Sequence, residues 1–452
     1  MGLSRSMGGR RRRCPVVESL EMRGLMSASA LPNASYDDWI RAAAARQQYA
    51  VDGAGLAAAV IDTGIDYRHP ALGGRLGPGA VVVGGYDLAM EDEDPLAETW
   101  SHGTMVAGLI ASRDLNGRGG VAPGAGLVAL RVFGNDNRGS FERIADALQW
   151  VVDRHEEYGI TVVNLSISDN RNYVHDLWSK DGGVGERIAG LVEELARLRI
   201  PVVAATGNGY RGQEGVGFTA ILPGTISVTG TEGDRLWSGA QRLSRERGGE
   251  SATDLGAPAT GLLTTVESAG YGRVEGTSFA APLVTGAILL LQEIYRSRFG
   301  VLPRVEELLD WLQRGADPIR DGSGLTIGRL NVERSARLIP ATPGAKPGEP
   351  QAGLPTAGPA GEGAGGKAEG GGGTPRTGVG AGAGGLELSG RFAANRVGGR
   401  ASERRSRLGL RWRLSRRRLA LVAQPVGRSG WIRFAEPAVE RSGRGASGRV
   451  VG

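Results

Sequence analysis

The chain has 452 residues and a formal net charge of +6, and it contains 76 glycines, 5% aromatic residues and one cysteine, Cys14. Glycine far exceeds its ordinary share of about 7%, so part of the chain is expected to lie outside any packed core. A single cysteine excludes an intramolecular disulfide. No stretch approaches the ~18 apolar residues of a transmembrane helix, which argues against an integral membrane protein.

Residues 1–54 are predicted to form a basic leader. Arg10 to Arg13 are consecutive, but the apolar core of about 7 to 15 residues that a secretory signal needs does not follow. The stretch VVESLEMRGLMSASA is similar to the Leu-Glu-x-Arg-x-Leu-Leu-Ser segment of many bacterial surface and exported proteins, with Met26 in place of the second Leu. This similarity favours a secreted or surface protein, and a disordered basic leader is the alternative.

Residues 55–338 alternate short apolar runs with helical patterns. Continuous apolar runs indicate strands that are buried on both faces, as in a parallel sheet under helices. The predicted class is therefore α/β, doubly wound, with a mainly parallel sheet, helices on both faces and disordered terminal regions. The predicted strands cover residues 56–61, 80–83, 126–132, 160–167, 200–205 and 225–229, and amphipathic helices are predicted over 141–158 and 185–198.

Two further segments follow the predicted α/β domain. Residues 339–385 are rich in Gly and Pro and are predicted to be a flexible linker. Residues 386–452 form a tail whose 16 Arg and four Glu give it a charge of +12, so the rest of the chain carries −6. Such a tail suits a polyanionic surface, whereas a solvated disordered tail is the alternative.

Asp62 follows a predicted strand in AAAVIDTGID, at the edge where parallel α/β sheets place their ligands and catalytic groups. Asp-Thr-Gly is compatible with a pair of aspartates that activate water, or with one aspartate that orients a histidine. The first chemistry needs a second such motif or a dimer of small β-domains. The chain has no second copy and its pattern is α/β, so the second chemistry is favoured.

His102 and Ser278 each stand at the start of a predicted helix. His102 opens HGTMVAG, and a histidine near a strand end is a candidate general base because its ordinary pKa lies near neutrality. Ser278 lies in GTSFAAP, where the unpaired N–H groups of a helix N-terminus favour developing negative charge. Small residues around Ser278 leave room for a substrate, although a simple N-cap is the alternative reading.

Together, VIDTGID, HGTMVAG and GTSFAAP, in that order, resemble the subtilisin-like serine peptidases. The resemblance continues through GGVAPGAGLVALRV, VVNLSIS, VVAATGN and LGAPATGLLTT, so it covers most of residues 55–338. It implies a serine endopeptidase that acts on proteins or peptides and needs neither a cofactor for the chemistry nor nucleic acid. A non-catalytic surface-binding protein built on the same domain is the rival, and an aspartic peptidase is a third interpretation.

The resemblance also implies residue roles. Ser278 is the expected nucleophile, His102 the general base and Asp62 the residue that orients it, while Asn208 matches an oxyanion-hole asparagine. Two segments match those that line the S1 pocket, namely Ser166, Ile167 and Ser168, and Ala205, Thr206 and Gly207. Ser168 and Thr206 replace a usual Gly and a usual Ala, which predicts a narrower S1 pocket.

A last expectation concerns calcium. Asp87, Asp92 and Asp94 lie in GGYDLAMEDEDP, where some members of the resembled family bind the ion. Clustered carboxylates suit a hard cation, so a structural calcium is one prediction for this loop, and a solvated acidic loop is the other.

Overall fold

The structure of the protein is a computed structural model that describes residues 35–97, 101–113, 119–180, 182–320 and 325–341. The leader up to residue 34, the linker beyond residue 341 and the Arg-rich tail lie outside these residues. The strands are β1 (Ala57–Asp62), β2 (Val82–Asp87), β3 (Gly126–Arg131), β4 (Ile160–Leu165), β5 (Val202–Ala205), β6 (Thr225–Glu232), β7 (Arg235–Leu236), β8 (Leu255–Pro258), β9 (Leu262–Val266), β10 (Gly270–Val274), β11 (Asp317–Arg320) and β12 (Thr326–Arg329). The helices are α1 (Tyr36–Ile40), α2 (Ala42–Tyr49), α3 (His102–Ala111), α4 (Phe141–Tyr158), α5 (Val184–Arg197), α6 (Phe218–Ile221), α7 (Arg245–Gly248), α8 (Thr277–Phe299), α9 (Val305–Gly315) and α10 (Val332–Arg337).

Ten of the described strands form one sheet in the order β11-β12-β8-β6-β5-β4-β1-β3-β2, with β7 paired to β6. Pairing is parallel from β12 to β2, whereas β11 and β7 run antiparallel to their neighbours. Strands β9 and β10 form a separate hairpin. The carboxyl ends of the central strands therefore share one edge, which is where the candidate residues after β1, β4 and β5 meet.

The sheet is buried on both faces, as its apolar runs predict. In β1, Ala58 and Val60 point into a core that includes side chains of α3 and α8. Ala59 and Ile61 point into a second core that includes side chains of α4 and α5. Because successive strand residues face opposite sides, a strand under two helix layers has no polar face. The predicted doubly wound α/β class is confirmed.

Strand β2 lies further along the chain than its predicted range of 80–83. It continues through Gly84 and Gly85, which propensity alone disfavours in a strand. Both glycines are needed for close approach. A Cβ on Gly85 would lie 2.1 Å from the carbonyl oxygen of Ala129 in β3, and one on Gly84 would lie 2.2 Å from the Tyr158 ring. Packing against the neighbours therefore overrides local preference in this strand.

Helices α1 and α2 lie in the segment predicted as leader, and they pack on the α/β unit. Ile40, Ala42 and Ala45 have no exposed surface and belong to the core that contains α8. The carboxylate of Glu293 in α8 accepts hydrogen bonds from the backbone N–H of Asp52 and of Gly53, at 3.0 and 2.6 Å. The predicted boundary after residue 54 thus falls inside one continuously packed unit.

Helix α8 runs through the centre of the molecule. Within the described residues it is the one helix long and apolar enough to cross a bilayer, but 89% of its most apolar window is buried inside the protein. An all-round apolar helix is expected when protein surrounds it on every side. The composition of α8 therefore reflects its central position, and its first turn delivers Thr277 and Ser278 to the carboxyl edge of the sheet.

Candidate active site

Asp62 and His102 form a buried hydrogen-bonded pair at the carboxyl edge of the sheet. Asp62 ends β1 with no exposed surface, and His102 begins α3 with 3% exposed. The imidazole Nδ1 lies 2.8 Å from Oδ1 and 3.0 Å from Oδ2 of the carboxylate. Since an ionised carboxylate can only accept, Nδ1 carries a proton, and in the neutral imidazole Nε2 is then the nitrogen with the free lone pair. Nε2 is therefore available as a base.

The start of α3 is held against the loop that follows Asp62. The backbone N–H of Thr63 donates to Asp62 Oδ1 at 2.7 Å, and the N–H of Gly103 donates to the Thr63 hydroxyl at 2.9 Å. A Cβ on Gly103 would lie 2.2 Å from the carbonyl oxygen of Gly64, so only glycine permits this approach. In the sequence His102-Gly103, the histidine is thus the candidate base, and the glycine allows the close packing that positions it.

Ser278 is the second residue of α8 and is 8% exposed. Its backbone carbonyl accepts a hydrogen bond of 2.7 Å from the Ser166 hydroxyl, which in turn accepts one of 2.8 Å from Asn164 Nδ2. Thr285, which lies further along α8, donates to Asn164 Oδ1 at 2.9 Å. Ser166, Asn164 and Thr285 have no exposed surface. The Ser166 side chain, predicted to line a substrate pocket, here fastens the segment that carries Ser278.

His102 approaches the start of α8 through an aromatic contact. The Phe279 ring centroid lies 5.2 Å from that of His102, with the planes tilted by 47°. Among the described residues there is no hydrogen bond between His102 and Ser278. Hydrogen bonds between catalytic groups commonly tighten only when substrate is bound. The structure thus joins Asp62 to His102 directly and brings the residue next to Ser278 against the imidazole.

Asn208 follows β5, and its side-chain amide is held in one orientation. Its Oδ1 accepts hydrogen bonds of 2.9 Å from both the backbone N–H and the hydroxyl of Thr277. The Thr277 hydroxyl accepts a further one, 3.1 Å long, from the N–H of Gly207. Because these donors occupy the amide oxygen, the network assigns Nδ2, the donor, to the other side. Asn208 therefore presents two N–H groups beside the first turn of α8.

Gly276 provides the space in front of this amide. Its φ of +137° is unfavourable for residues with a side chain, and a Cβ there would lie 3.4 Å from Asn208 Nδ2. The N–H groups in the first turn of α8 have no acceptor within the helix by position. Asn208 Nδ2 and the start of α8 can thus donate together to one oxygen that carries negative charge.

The two segments predicted to line the S1 pocket lie side by side after β4 and β5. Ile167 is fully buried, and its carbonyl accepts from the Thr219 hydroxyl at 2.9 Å. The Ser168 hydroxyl lies between two glycines. A Cβ on Gly217 would be 1.9 Å from Ser168 Oγ, and one on Gly207 would be 2.8 Å from it. The hydroxyl therefore fills the gap between these two backbones.

Ala205 and Thr206, the other two members of this predicted set, are fully buried. Ala205 packs in the core that contains α8. Thr206 contributes its backbone, since its N–H donates to Val228 at 3.0 Å and its carbonyl accepts from Gly217 at 2.8 Å. These two positions therefore fix the end of β5 and the approach of Gly217, and the Ser168 side chain bears on the gap itself.

Burial raises the pKa of two ionisable groups close to the site. Burial raises the pKa of the Tyr173 phenol, and the neighbouring Asp169 carboxylate raises it further. Tyr173 therefore stays protonated and donates to Asp169 at 2.9 Å, which steadies the loop after β4. Burial also raises the pKa of Glu275, three residues before Ser278, with Glu232 adding to the rise.

The acidic loop predicted as a calcium site uses its carboxylates differently. Asp87 is buried and pairs with the Arg131 guanidinium at 2.8 Å, and it also accepts from the N–H groups of Ala89 and Met90. Asp94 accepts from the Tyr67 hydroxyl. No group of three His, Cys, Asp or Glu with a metal-binding arrangement occurs in the described residues. The Asp87 carboxylate is thus already paired with Arg131, and calcium binding by this loop stays a prediction.

Comparisons with known proteins assign the chain to a family. The model of the subtilase family matches residues 53–326. The chain is 30% identical over 332 residues to a thermophilic serine proteinase of Bacillus sp. (strain AK1), which covers 70% of this chain and 72% of that protein. It is 30% identical over 259 residues to the major intracellular serine protease of Bacillus subtilis (strain 168), covering 55% and 72% respectively. A solved cold-adapted subtilisin-like serine proteinase matches at a TM-score of 0.49 and 25% identity, covering 62% of this chain and 90% of that chain.

Proposed function

Because the chain belongs to the subtilase family and is a subtilisin-like serine endopeptidase, we propose that Asp62, His102 and Ser278 form its catalytic triad. The observation that carries the proposal is the buried 2.8 Å hydrogen bond between Asp62 and His102 Nδ1. In the neutral imidazole this bond leaves Nε2 as the basic nitrogen, at the edge where the first turn of α8 presents Ser278. A binding protein would need neither this fixed tautomer nor the held amide of Asn208.

In the proposed reaction, Ser278 Oγ attacks the carbonyl carbon of the scissile peptide bond while His102 Nε2 removes its proton. Asp62 remains ionised and stabilises the imidazolium that forms. The carbonyl oxygen becomes an oxyanion, which accepts hydrogen bonds from Asn208 Nδ2 and the Ser278 N–H. His102 then gives the proton to the leaving amine, and the C–N bond breaks. Water attacks the resulting ester by the same steps and releases the acid and free Ser278.

We also propose that the S1 pocket is shallow. Ser168 and Gly207 belong to the two segments that resemble the S1 walls of the family, and the Ser168 hydroxyl occupies the space between Gly207 and Gly217. A large P1 side chain would have to displace it. Proteins or peptides with a small P1 residue, such as Ala, Gly or Ser, are therefore the expected substrates.

Labelling with a fluorophosphonate probe tests the proposed nucleophile. Folded protein is expected to gain one adduct, which peptide mapping locates on Ser278, and both Ser278→Ala and His102→Ala are expected to abolish it. The control is heat-unfolded protein, which has no oriented base and should not react. Folded protein without an adduct would favour a binding function instead. Inhibition of proteolysis by pepstatin, but not by the fluorophosphonate, would restore an aspartic mechanism.

Export is a separate proposal, and it rests on the similarity of residues 20–27 to segments of exported proteins. The named relatives do not decide it, since one of them is an intracellular serine protease. Mass spectrometry of the protein termini in cell and culture-medium fractions tests the proposal. Full-length protein confined to the cells would contradict it. The same measurement shows whether the Arg-rich tail, for which we propose a polyanionic surface as partner, is retained.

A further inference from the structure

Gln241 is a fully buried amide next to Asn208, in the segment between β7 and α7. We propose that Gln241 is a positioning residue for the oxyanion hole, which ties the loop after β5 to the loop after β4 and thereby sets the place of Asn208. The inference rests on the proposed role of Asn208. Gln241 itself does not touch the reacting atoms.

Gln241 binds both neighbours of Asn208. Its backbone N–H donates to the carbonyl of Gly207 at 2.9 Å, and its Oε1 accepts from the N–H of Gly209 at 3.2 Å. The Gln241 carbonyl is itself held by the hydroxyl of Thr229 in β6, at 2.7 Å. The residues before and after Asn208 are therefore both hydrogen-bonded to Gln241, which is itself anchored to the sheet.

The other end of the amide holds the loop after β4. Gln241 Nε2 donates to the carbonyl of Arg171 at 2.9 Å and to Asn172 Oδ1 at 3.0 Å. The same loop reaches back to the oxyanion residue, because Asn170 Oδ1 accepts from the backbone N–H of Asn208 at 2.9 Å. Gln241, this loop and Asn208 thus form a closed circuit of hydrogen bonds.

The packing around the amide is tight. A Cβ on Gly207, whose φ is +108°, would lie 2.2 Å from Gln241 Oε1. A buried amide whose donors and acceptor are all bonded fixes its surroundings, whereas its removal leaves several backbone groups without partners. A small displacement of a catalytic donor is costly, since a misplacement of about 1 Å can slow a reaction about 10²-fold.

Two matched variants separate this role from ordinary stabilisation. Gln241→Met keeps about the volume of the side chain and removes its side-chain hydrogen bonds, while the backbone bonds to Gly207 and Thr229 remain. Gln292→Met makes the same change at another fully buried glutamine, whose Nε2 donates to the carbonyl of Thr161 in β4. The measurements are kcat and KM on a peptide substrate and the inhibition constant of a peptide aldehyde, whose tetrahedral adduct carries the oxyanion. Melting temperatures establish that each variant is folded.

Gln241→Met is expected to lower kcat about 10- to 100-fold, a large part of the 10² to 10³ that one oxyanion donor supplies, with KM changed less than about threefold. Affinity for the aldehyde should fall by the same factor. Gln292→Met is expected to leave kcat within about twofold, since it lies far from the donors. If Gln241→Met does not fold, Asn172→Ala removes one acceptor of the amide at an exposed position, and kcat should fall about threefold.

Asn208→Ala completes the test. If Gln241 acts through Asn208, Gln241→Met should slow the Asn208→Ala enzyme by no more than about twofold, because the group it positions is already absent. A full multiplicative loss in that background, an unchanged kcat, or an equal loss in Gln292→Met would overturn the inference. An Asn208→Ala enzyme with wild-type kcat would overturn the proposed oxyanion hole itself, so the two failures are distinguishable.

Discussion

Asp62 and His102 fix the protonation arrangement on which the proposed chemistry depends. The carboxylate accepts from His102 Nδ1 and from the N–H of Thr63 at the same time, so its orientation is set from two sides. Burial removes competing water from the pair. The imidazole is therefore held in one tautomer before any substrate arrives, which lowers the cost of reaching the transition state.

Asp62→Asn should lower kcat about 10⁴-fold, because an amide that donates to Nδ1 places the imidazole proton on Nε2, where the base is needed. KM should change little, since no substrate group is lost. Steady-state kinetics on a peptide substrate measures both. Asp66→Asn, four residues along the same loop, is the control and should remain near wild type. An Asp62→Asn enzyme with more than about a tenth of the wild-type kcat would contradict the role of Asp62.

Sequence reasoning could find Asp62, His102 and Ser278, because each lies in a short motif beside its own strand or helix. It could not find Asn164 or Thr285 as partners, because the hydrogen bond that joins them spans 121 residues and follows no periodic pattern. Ser166 was assigned to a pocket, yet its hydroxyl contacts the carbonyl of Ser278 across 112 residues. Local motifs therefore indicate the proposed reacting groups, whereas only the fold identifies the groups that hold them.

At the scale of elements, the loops after β4 and β5 carry the two segments that line the proposed S1 pocket. Their separation is set by Ser168, whose hydroxyl accepts from the N–H of Asn170 at 3.1 Å and lies against Gly207 and Gly217. The sequence predicts the narrower pocket from two replacements, Ser168 for a usual glycine and Thr206 for a usual alanine. It could not show that the hydroxyl is directed at a second glycine, because Gly217 lies outside both segments that the resemblance assigns to the pocket.

Ser168→Gly should widen the pocket and raise kcat/KM for substrates with Phe at P1 about tenfold or more relative to those with Ala, since each buried methylene contributes about 0.8 kcal/mol. A library of peptides that differ only at P1 measures the ratio. Thr206→Ala, on the neighbouring segment, is the control and should leave the ratio nearly unchanged. A wild-type enzyme that already prefers Phe or Tyr at P1 would contradict the shallow pocket.

Helices α1 and α2 show where element prediction fails. They have five and eight residues, too few for a clear helical period, and Arg41 between them has a left-handed φ of 59°. Their contribution to the core follows only from tertiary contacts. Ile40 has no exposed surface and joins the core that contains α8. Residues 35–54 are therefore part of the packed unit that positions α8.

Ile40→Ala should lower the free energy of unfolding by about 2 to 5 kcal/mol, because it removes buried apolar volume and leaves a cavity. Gln47→Ala, at an exposed position of α2, is the control and should change it by less than about 0.5 kcal/mol. Both are best measured by denaturant unfolding in a Ser278→Ala background, which removes self-cleavage. Equal stabilities of the two variants would show that α1 does not contribute to the core.

For the molecule as a whole, the sheet lies between two apolar cores, and the side chains of its buried strands contribute to both. Net positive charge is concentrated in residues 386–452, which carry +12, whereas the rest of the chain carries −6. Few charged groups lie inside. Asp254 is partly buried directly before β8, where Ser227 of β6 donates to it through its N–H at 2.9 Å and Gln313 of α9 donates at 3.2 Å.

Burial raises the pKa of Asp254 from its ordinary value of 3.8 to about 6, although hydrogen bonds from Ser227 oppose the rise. The folded protein thus holds this proton more tightly than the unfolded chain. Its contribution to stability is full below the unfolded pKa and is lost as pH rises through the folded pKa. Between about pH 4 and 6 the free energy of unfolding of the wild type therefore falls, because the protein must ionise a carboxyl that links β6 and α9 directly before β8.

Asp254→Asn removes that cost, so its stability relative to wild type should increase by about 2 kcal/mol as pH rises from 4 to 7 and then stay level. Unfolding free energies in the Ser278→Ala background at several pH values measure the difference. Glu156→Gln, which neutralises one exposed carboxylate on α4, is the control and should give a flat difference. A flat difference for Asp254→Asn would show that Asp254 ionises in the fold as it does in water, and a difference that falls as pH rises would show that the fold lowers its pKa. The rising difference is expected because Ser227 and Gln313 can both bond a neutral side chain, and only the ionised one must give up its hydration.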